Sequence, residues 1–118
     1  MIDLYTWSTP NGRKISILLE ELNVSYKVIA VDISKNEQFT KEFNIISPSN
    51  KIPAIVDKEN SKNIFESGAI MLYLAKKYKG FLSTKYYWKI IEWFMFQMTT
   101  VGPFLGQAHQ FLYYNQGK

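Results

Sequence analysis

Lys51-Ile52-Pro53-Ala54-Ile55-Val56 puts a proline at the mouth of a β-rich apolar run, and Glu66-Ser67-Gly68-Ala69-Ile70 begins ten residues after Val56. Proline cannot donate to a sheet ladder, so its place directly before a strand needs a reason. A cis bond supplies one, because it turns the preceding backbone outward at the strand entrance. Ile52 then offers its N–H and C=O to an extended ligand, as an added strand would use them. The second segment supplies what the charged end of such a ligand needs. Ser67 reads as the N-cap of a helix, whose free N–H groups and dipole favour a carboxylate. Glu66, one residue earlier, suits an ammonium group. Together the two segments suit a short peptide that carries both a carboxylate and an amine.

Working outward, Ile2–Trp7 is a short apolar, aromatic run closed by Ser8-Thr9-Pro10-Asn11-Gly12, a strand followed by a turn. Ile15, Leu18, Leu19 and Leu22 then keep helical spacing up to Asn23. Tyr26–Val31 is a second strand, and strand-helix-strand implies a right-handed unit with parallel strands. Glu37–Phe43 predicts a turn or two of helix, Lys51–Asp57 a third strand and Asn63–Phe65 a fourth, with 58–62 as the hairpin loop. A helix capped by Ser67 is expected to run to Tyr78, with Lys76, Lys77 and Lys79 at its negative end and Gly80 as terminator. The order β-α-β-α-β-β-α is that of a thioredoxin-like α/β domain, expected over residues 1–80, with 80–84 as a linker.

From Lys85 the pattern changes. Tyr87, Ile90, Ile91, Phe94, Met98, Val101 and Leu105 form one helical stripe, while Trp88, Trp93, Met95 and Phe96 lie largely off it. A helix apolar on most sides expects burial on more than one of them. The segment 85–118 is therefore read as a helical piece that needs a neighbouring chain, and an oligomer, in the first instance a homodimer, is expected.

The chain has 118 residues, 47% of them hydrophobic, enough for one domain with a core. Cysteine is absent, which excludes structural disulfides and any protein-thiol mechanism. Sulfur chemistry must then use a sulfur that the ligand brings. The net charge of +4 invites a nucleic-acid reading, but Arg13 is the single arginine among fourteen basic residues and the lysines are scattered. A nucleic-acid footprint needs a clustered stripe. No stretch is apolar and long enough to span a bilayer, and the first residues lack a basic region followed by an apolar run, so no membrane role is read and a cytoplasmic location is expected.

The segments Ser8-Thr9-Pro10-Asn11-Gly12, 46–57, Phe65-Glu66-Ser67-Gly68-Ala69-Ile70 and 102–109 resemble glutathione transferases, in particular the bacterial Nu class and the related fungal nitrogen-regulator group. The likeness covers essentially the whole chain. It implies a thioredoxin-like N-terminal domain that binds glutathione, followed here by only the start of the helical C-terminal domain. It places Thr9 and Asn11 where the thiol of glutathione arrives, so both are candidates for stabilising a thiolate through a hydroxyl and an amide donor. Tyr5 is the alternative activator, against a plain role as a strand tyrosine. Gln38 resembles a position that reaches the ligand's glycine end, and Lys51 could add charge there; for both, plain surface exposure is the competing reading. Arg13 reads equally as an electrostatic helper or a solvated residue, and His109, without partners at suitable spacing, reads as structural or rim-lining. Singly, Thr9-Pro10-Asn11-Gly12, Ile52-Pro53 and Glu66-Ser67 have ordinary turn and capping explanations. In register they specify glutathione.

The resemblance implies a glutathione thiolate attacking a small disulfide or an electrophile, with the Nu-like features favouring disulfide-bond reduction and no metal needed. The rival expectations are a catalytically weak or inactive binding or regulatory module, and a truncated fragment folded only as an oligomer.

Overall fold

The computed structural model describes residues 1–114, so 115–118 of the expected helical segment lie outside the described residues. The chain divides into two compact units, Met1–Phe81 and Leu82–Lys118. In the first unit β1 (Ile2–Thr6) leads into α1 (Pro10–Glu21), β2 (Tyr26–Ala30), two 3₁₀ turns (Ile33–Lys35 and Glu37–Phe39), α2 (Lys41–Ile46), β3 (Ala54–Asp57), β4 (Lys62–Phe65) and α3 (Ser67–Lys77). The sheet order is β2-β1-β3-β4. β1 and β2 are parallel, as the strand-helix-strand pattern requires, and β3 runs antiparallel to both β1 and β4. This is the thioredoxin-like β-α-β-α-β-β-α arrangement.

Alternation along β1 splits the core. Ile2 and Leu4 face α1 and α3, packing with Ile15, Leu18, Leu19, Ile55, Ile70 and Leu74. Tyr5 points to the other side, where it meets Val31, Phe43 and Ala54. Its ring leans on Phe43 at 6.2 Å between centroids.

The strands and helices fall where the periodicity puts them, with shifted ends. The expected 37–43 helix is two pieces, because Thr40 interrupts it and caps α2 by accepting a hydrogen bond from the Phe43 N–H at 3.3 Å. β3 begins at Ala54, not Lys51, since Pro53 cannot enter the ladder. Gly80 is not the left-handed terminator of α3. Lys79 takes that conformation at φ 55° while the Gly80 N–H reaches back to the Ala75 carbonyl. Gly80 lies against Leu22: a Cβ there would come 2.3 Å from Leu22 Cδ2, so that side chain would have to turn aside.

In the second unit α4 (Tyr87–Phe96) and α5 (Gly102–His109) are joined by a π-helical turn, Gln97–Val101, and followed by another, Gln110–Tyr114. Pro103 explains the first π turn: it removes one backbone donor from a helical run. The Gly102 N–H bonds the Gln97 carbonyl, five residues back. No side chain of α4 or α5 is buried, and Trp88 and Trp93 are 74% and 68% exposed. Among the described residues no helix is long and apolar enough to cross a membrane.

Candidate functional site

The register gathers the candidate residues at one end of the sheet. Tyr5 stands beside Ala54, and Ala54 beside Phe65. The carboxyl ends of β1 and β4 and the amino end of β3 therefore share an edge. From it depart the turn carrying Thr9 and Asn11, the approach carrying Lys51, Ile52 and Pro53, and the Glu66-Ser67 step. β2 ends there too, next to Thr6, so the connection bearing Gln38 leaves from the same end.

Thr9 is the N-cap of α1, and its Oγ1 accepts a hydrogen bond from the Gly12 N–H at 3.1 Å. That use of a lone pair leaves the hydroxyl hydrogen available to donate. Asn11 is exposed on the first turn, and its Oδ1 accepts from Lys14 Nζ at 2.9 Å. Burial pushes the pKa of that half-buried lysine below its ordinary value. Arg13 is turned elsewhere, donating to Ser8 Oγ at 3.3 Å. α1 carries no acidic residue in its first turn, so its positive end is not neutralised from within.

The Ile52–Pro53 peptide bond is cis, as the sequence reading expects. Pro53 is buried, Ile52 half-buried and Lys51 exposed. Ser47, wholly buried, holds the approach in place by donating to the Lys51 carbonyl at 2.8 Å. Asn44 ties the same loop through Asn50, at 3.0 Å. Ser47→Ala should cost about 1 kcal/mol, because the part-buried Lys51 carbonyl loses its donor. Urea unfolding checks this, and an unchanged midpoint would show the loop to be held by other means.

Ser67 is the first residue of α3, not its N-cap. The cap is Glu66, at φ 69° and ψ 117°, with no side-chain capping bond. Positive φ is uncommon for a residue with a Cβ, and such strain concentrates at ligand sites. The first N–H groups of α3 thus remain a ready anion site beside a carboxylate. Gln38 is half-buried in the second 3₁₀ turn, and its Oε1 is buried without a protein partner. No side-chain hydrogen bond joins any two of these eight residues. The fold brings them to one end of the sheet, and a peptide lying across that end would be what links them. His109 sits in α5, its ring tilted against that of Tyr113 at 4.8 Å between centroids. Among the described residues no group of three or more His, Cys, Asp or Glu is placed to hold a metal.

Sequence reasoning missed Gly12, Lys14 and Ser47. Gly12 carried a signal, since glycine inside a first helical turn costs helix stability and implies a close approach. Ser47 lies in the 46–57 segment that carries the family resemblance, but by residue type it reads like any serine of a Ser-Pro turn.

The family profile described as "Glutathione S-transferase, N-terminal domain" matches residues 1–76. The chain belongs to the glutathione S-transferase family. It is 49% identical over 118 residues to the disulfide-bond oxidoreductase YfcG of Escherichia coli K12, covering 94% of this chain and 55% of that protein. It is 38% identical over 117 residues to Protein URE2 of Debaryomyces hansenii, covering 92% of this chain and 38% of that one. A glutathione transferase from Pseudomonas putida, solved with one glutathione disulfide bound per subunit, superposes with a TM-score of 0.93 at 38% identity over 99% of this chain and 54% of that one. The chain thus spans about half the length, or less, of these proteins.

Proposed function

We propose that residues 1–80 bind glutathione at the shared sheet edge and hold its sulfur as a thiolate at the start of α1. The observation that carries this is that Thr9 Oγ1 and Asn11 Oδ1 both accept hydrogen bonds within the helix start, which leaves the Thr9 hydroxyl hydrogen and the Asn11 Nδ2 to donate on the same edge as Ile52-Pro53 and Glu66-Ser67. The γ-glutamyl carboxylate pairs with Ser67 and the first N–H groups of α3, and its ammonium with Glu66. Ile52 presents backbone groups to the cysteinyl unit. The Gln38 amide and the Lys51 ammonium are donors for the glycine carboxylate.

The thiolate attacks one sulfur of a small disulfide, releasing the other as a thiol. A second glutathione then cleaves the mixed disulfide, so two glutathiones become glutathione disulfide while the substrate is reduced to two thiols. The protein contributes position and electrostatics, with no metal and no thiol of its own. The same thiolate suits attack on a small electrophile. The name of the Escherichia coli relative and the glutathione disulfide in the Pseudomonas putida structure support the disulfide reaction. The proposal includes a cytoplasmic protein, with segment 85–118 as the start of a transferase C-terminal domain. Homodimer assembly through that segment is supported by its exposed aromatic side chains.

Calorimetric titration of the folded chain with glutathione tests the binding, and reduction of a small disulfide tests the chemistry. Saturation near one ligand per chain with turnover is the expected result. Binding without turnover would make the chain a binding module, and no binding would overturn the site. Asn11→Ala should lower kcat about 10–100-fold, the worth of a hydrogen bond to a charged group, with little change in KM. Unchanged turnover would remove Asn11 from the mechanism.

A further inference from the structure

An asparagine amide has two ends of opposite character and nearly the same shape. One accepts hydrogen bonds and the other donates them. An exposed Asn11 stabilises a thiolate only with its Nδ2 end toward the sulfur; the flipped amide would set Oδ1 against a negative charge. Something must choose between the two.

Lys14 lies one helical turn after Asn11 and places Nζ 2.9 Å from Asn11 Oδ1. An ammonium only donates, so this contact exists in one amide orientation alone. The surroundings favour it. The ion pairs of the described residues lie elsewhere, leaving the Lys14 ammonium no carboxylate partner. Its half-buried position makes the Asn11 carbonyl more valuable than it would be to a fully hydrated lysine. Arg13, the other cation of this turn, bonds Ser8 and does not compete.

We propose that Lys14 is a positioning residue that locks the Asn11 amide with its donor end toward the glutathione sulfur. This rests on the reading of Asn11 as a thiolate donor. Lys14 touches neither sulfur nor substrate in this role. It removes the flipped amide from the ensemble before the ligand arrives, so the donor is preorganised.

The test uses the full chain with glutathione bound and reads two quantities. One is the bound thiol's titration, followed by thiolate ultraviolet absorbance. The other is kcat and KM for a small disulfide. Lys14→Met should raise the bound thiol's pKa and lower kcat roughly 3–10-fold with KM held, since a preorganised donor acts mainly on the thiolate. Lys14→Glu should do more, because its carboxylate accepts from Nδ2 and turns Oδ1 to the sulfur. Lys14→Arg, again a pure donor, should restore both quantities most of the way. The deciding comparison is Lys14→Met in an Asn11→Ala background, where no further change is expected in either readout.

If Lys14→Met acts equally with and without Asn11, the cation works directly on the sulfur and the positioning role is wrong. If Lys14→Met is silent while Asn11→Ala raises the thiol pKa, Asn11 acts as a donor unaided and only the inference about Lys14 fails. If Asn11→Ala is silent in the thiol titration, or glutathione does not bind, the reading beneath it fails and the inference falls with it. The thiol titration needs no turnover, so an inactive but glutathione-binding chain still returns an answer. Lys14 is half-buried and belongs to neither hydrophobic cluster, and methionine and arginine keep its aliphatic stem, so these variants should fold; circular dichroism confirms that first.

Discussion

Gly12→Ala should destabilise the first unit by about 2 kcal/mol or more, although alanine is the better helix former. The two effects have opposite signs, which makes the experiment decisive. Inside a helix, replacing glycine by alanine is worth up to about 1 kcal/mol of stability from backbone entropy alone. Here a Cβ would lie 2.2 Å from Thr6 Oγ1 and 2.7 Å from the Trp7 carbonyl oxygen. The threonine could rotate away. The carbonyl cannot, because it accepts the Thr9 N–H at 2.7 Å and belongs to the tight turn between β1 and α1. The helix start must therefore shift, and with it the Gly12 N–H that Thr9 Oγ1 accepts and the Asn11 amide one residue before. Stability and disulfide turnover should fall together, read by urea midpoint and by kcat. A gain in stability would mean that the turn yields easily, and that the close approach is not what calls for glycine.

Much of this architecture was legible because it is written in two periodicities. Alternation in β1 and β2 and the spacing of Ile15, Leu18, Leu19 and Leu22 gave the parallel unit, and the polar loop 58–62 gave the hairpin. The candidate site was legible as a set of turns, since each chemical group sits in a loop that leaves the same sheet edge. What failed is instructive. Serine is the statistically favoured cap, yet Glu66 takes that place, because the chain leaving β4 turns through a positive φ that a glutamate does not announce. Gly80 is expected as the terminator of α3, but Lys79 carries the left-handed turn and Gly80 follows it, lying against Leu22. Both errors came from reading a residue's local preference where a tertiary contact or turn decided. The Asn11–Lys14 contact lay within reach of sequence reasoning, being three residues apart on a helix, but the need for it shows only once Asn11 has a task.

Asp57→Ala should cost the first unit about 3 kcal/mol, the low end of the range for breaking a buried pair. Asp57 ends β3 with no exposure to solvent. It accepts hydrogen bonds from the Tyr73 hydroxyl, from Lys77 Nζ and, at 3.0 Å, from the Glu59 N–H. One carboxylate thus ties the β3–β4 hairpin to the last turns of α3, at the end of the sheet away from the site. Removing it strands Lys77 and Tyr73 only in part, since Lys77 keeps Glu59 at 2.7 Å and Tyr73 keeps Asn60 at 2.9 Å. That is why the low end applies. The pH dependence follows from the same groups. Burial pushes the Asp57 carboxyl up, but the bonds from Lys77, Tyr73 and the Glu59 N–H outweigh it and hold it below its ordinary value. Its contribution is therefore complete above the ordinary aspartate value, near 4, and is lost as pH falls through the lower folded value. Lys77 shifts the other way, raised by its bonds to Asp57 and Glu59. Its contribution is complete below the ordinary lysine value, about 10.4, and is lost only as pH rises through the higher folded value. Urea unfolding should thus show a plateau through neutral pH with an acid limb below about pH 4, and Asp57→Asn should flatten that limb while preserving the shape of the cluster. An acid limb of undiminished slope in Asp57→Asn would assign the acid sensitivity to other carboxylates. Glutathione affinity should stay unchanged in this variant once it is folded, because the site and the cluster lie at opposite ends of the sheet.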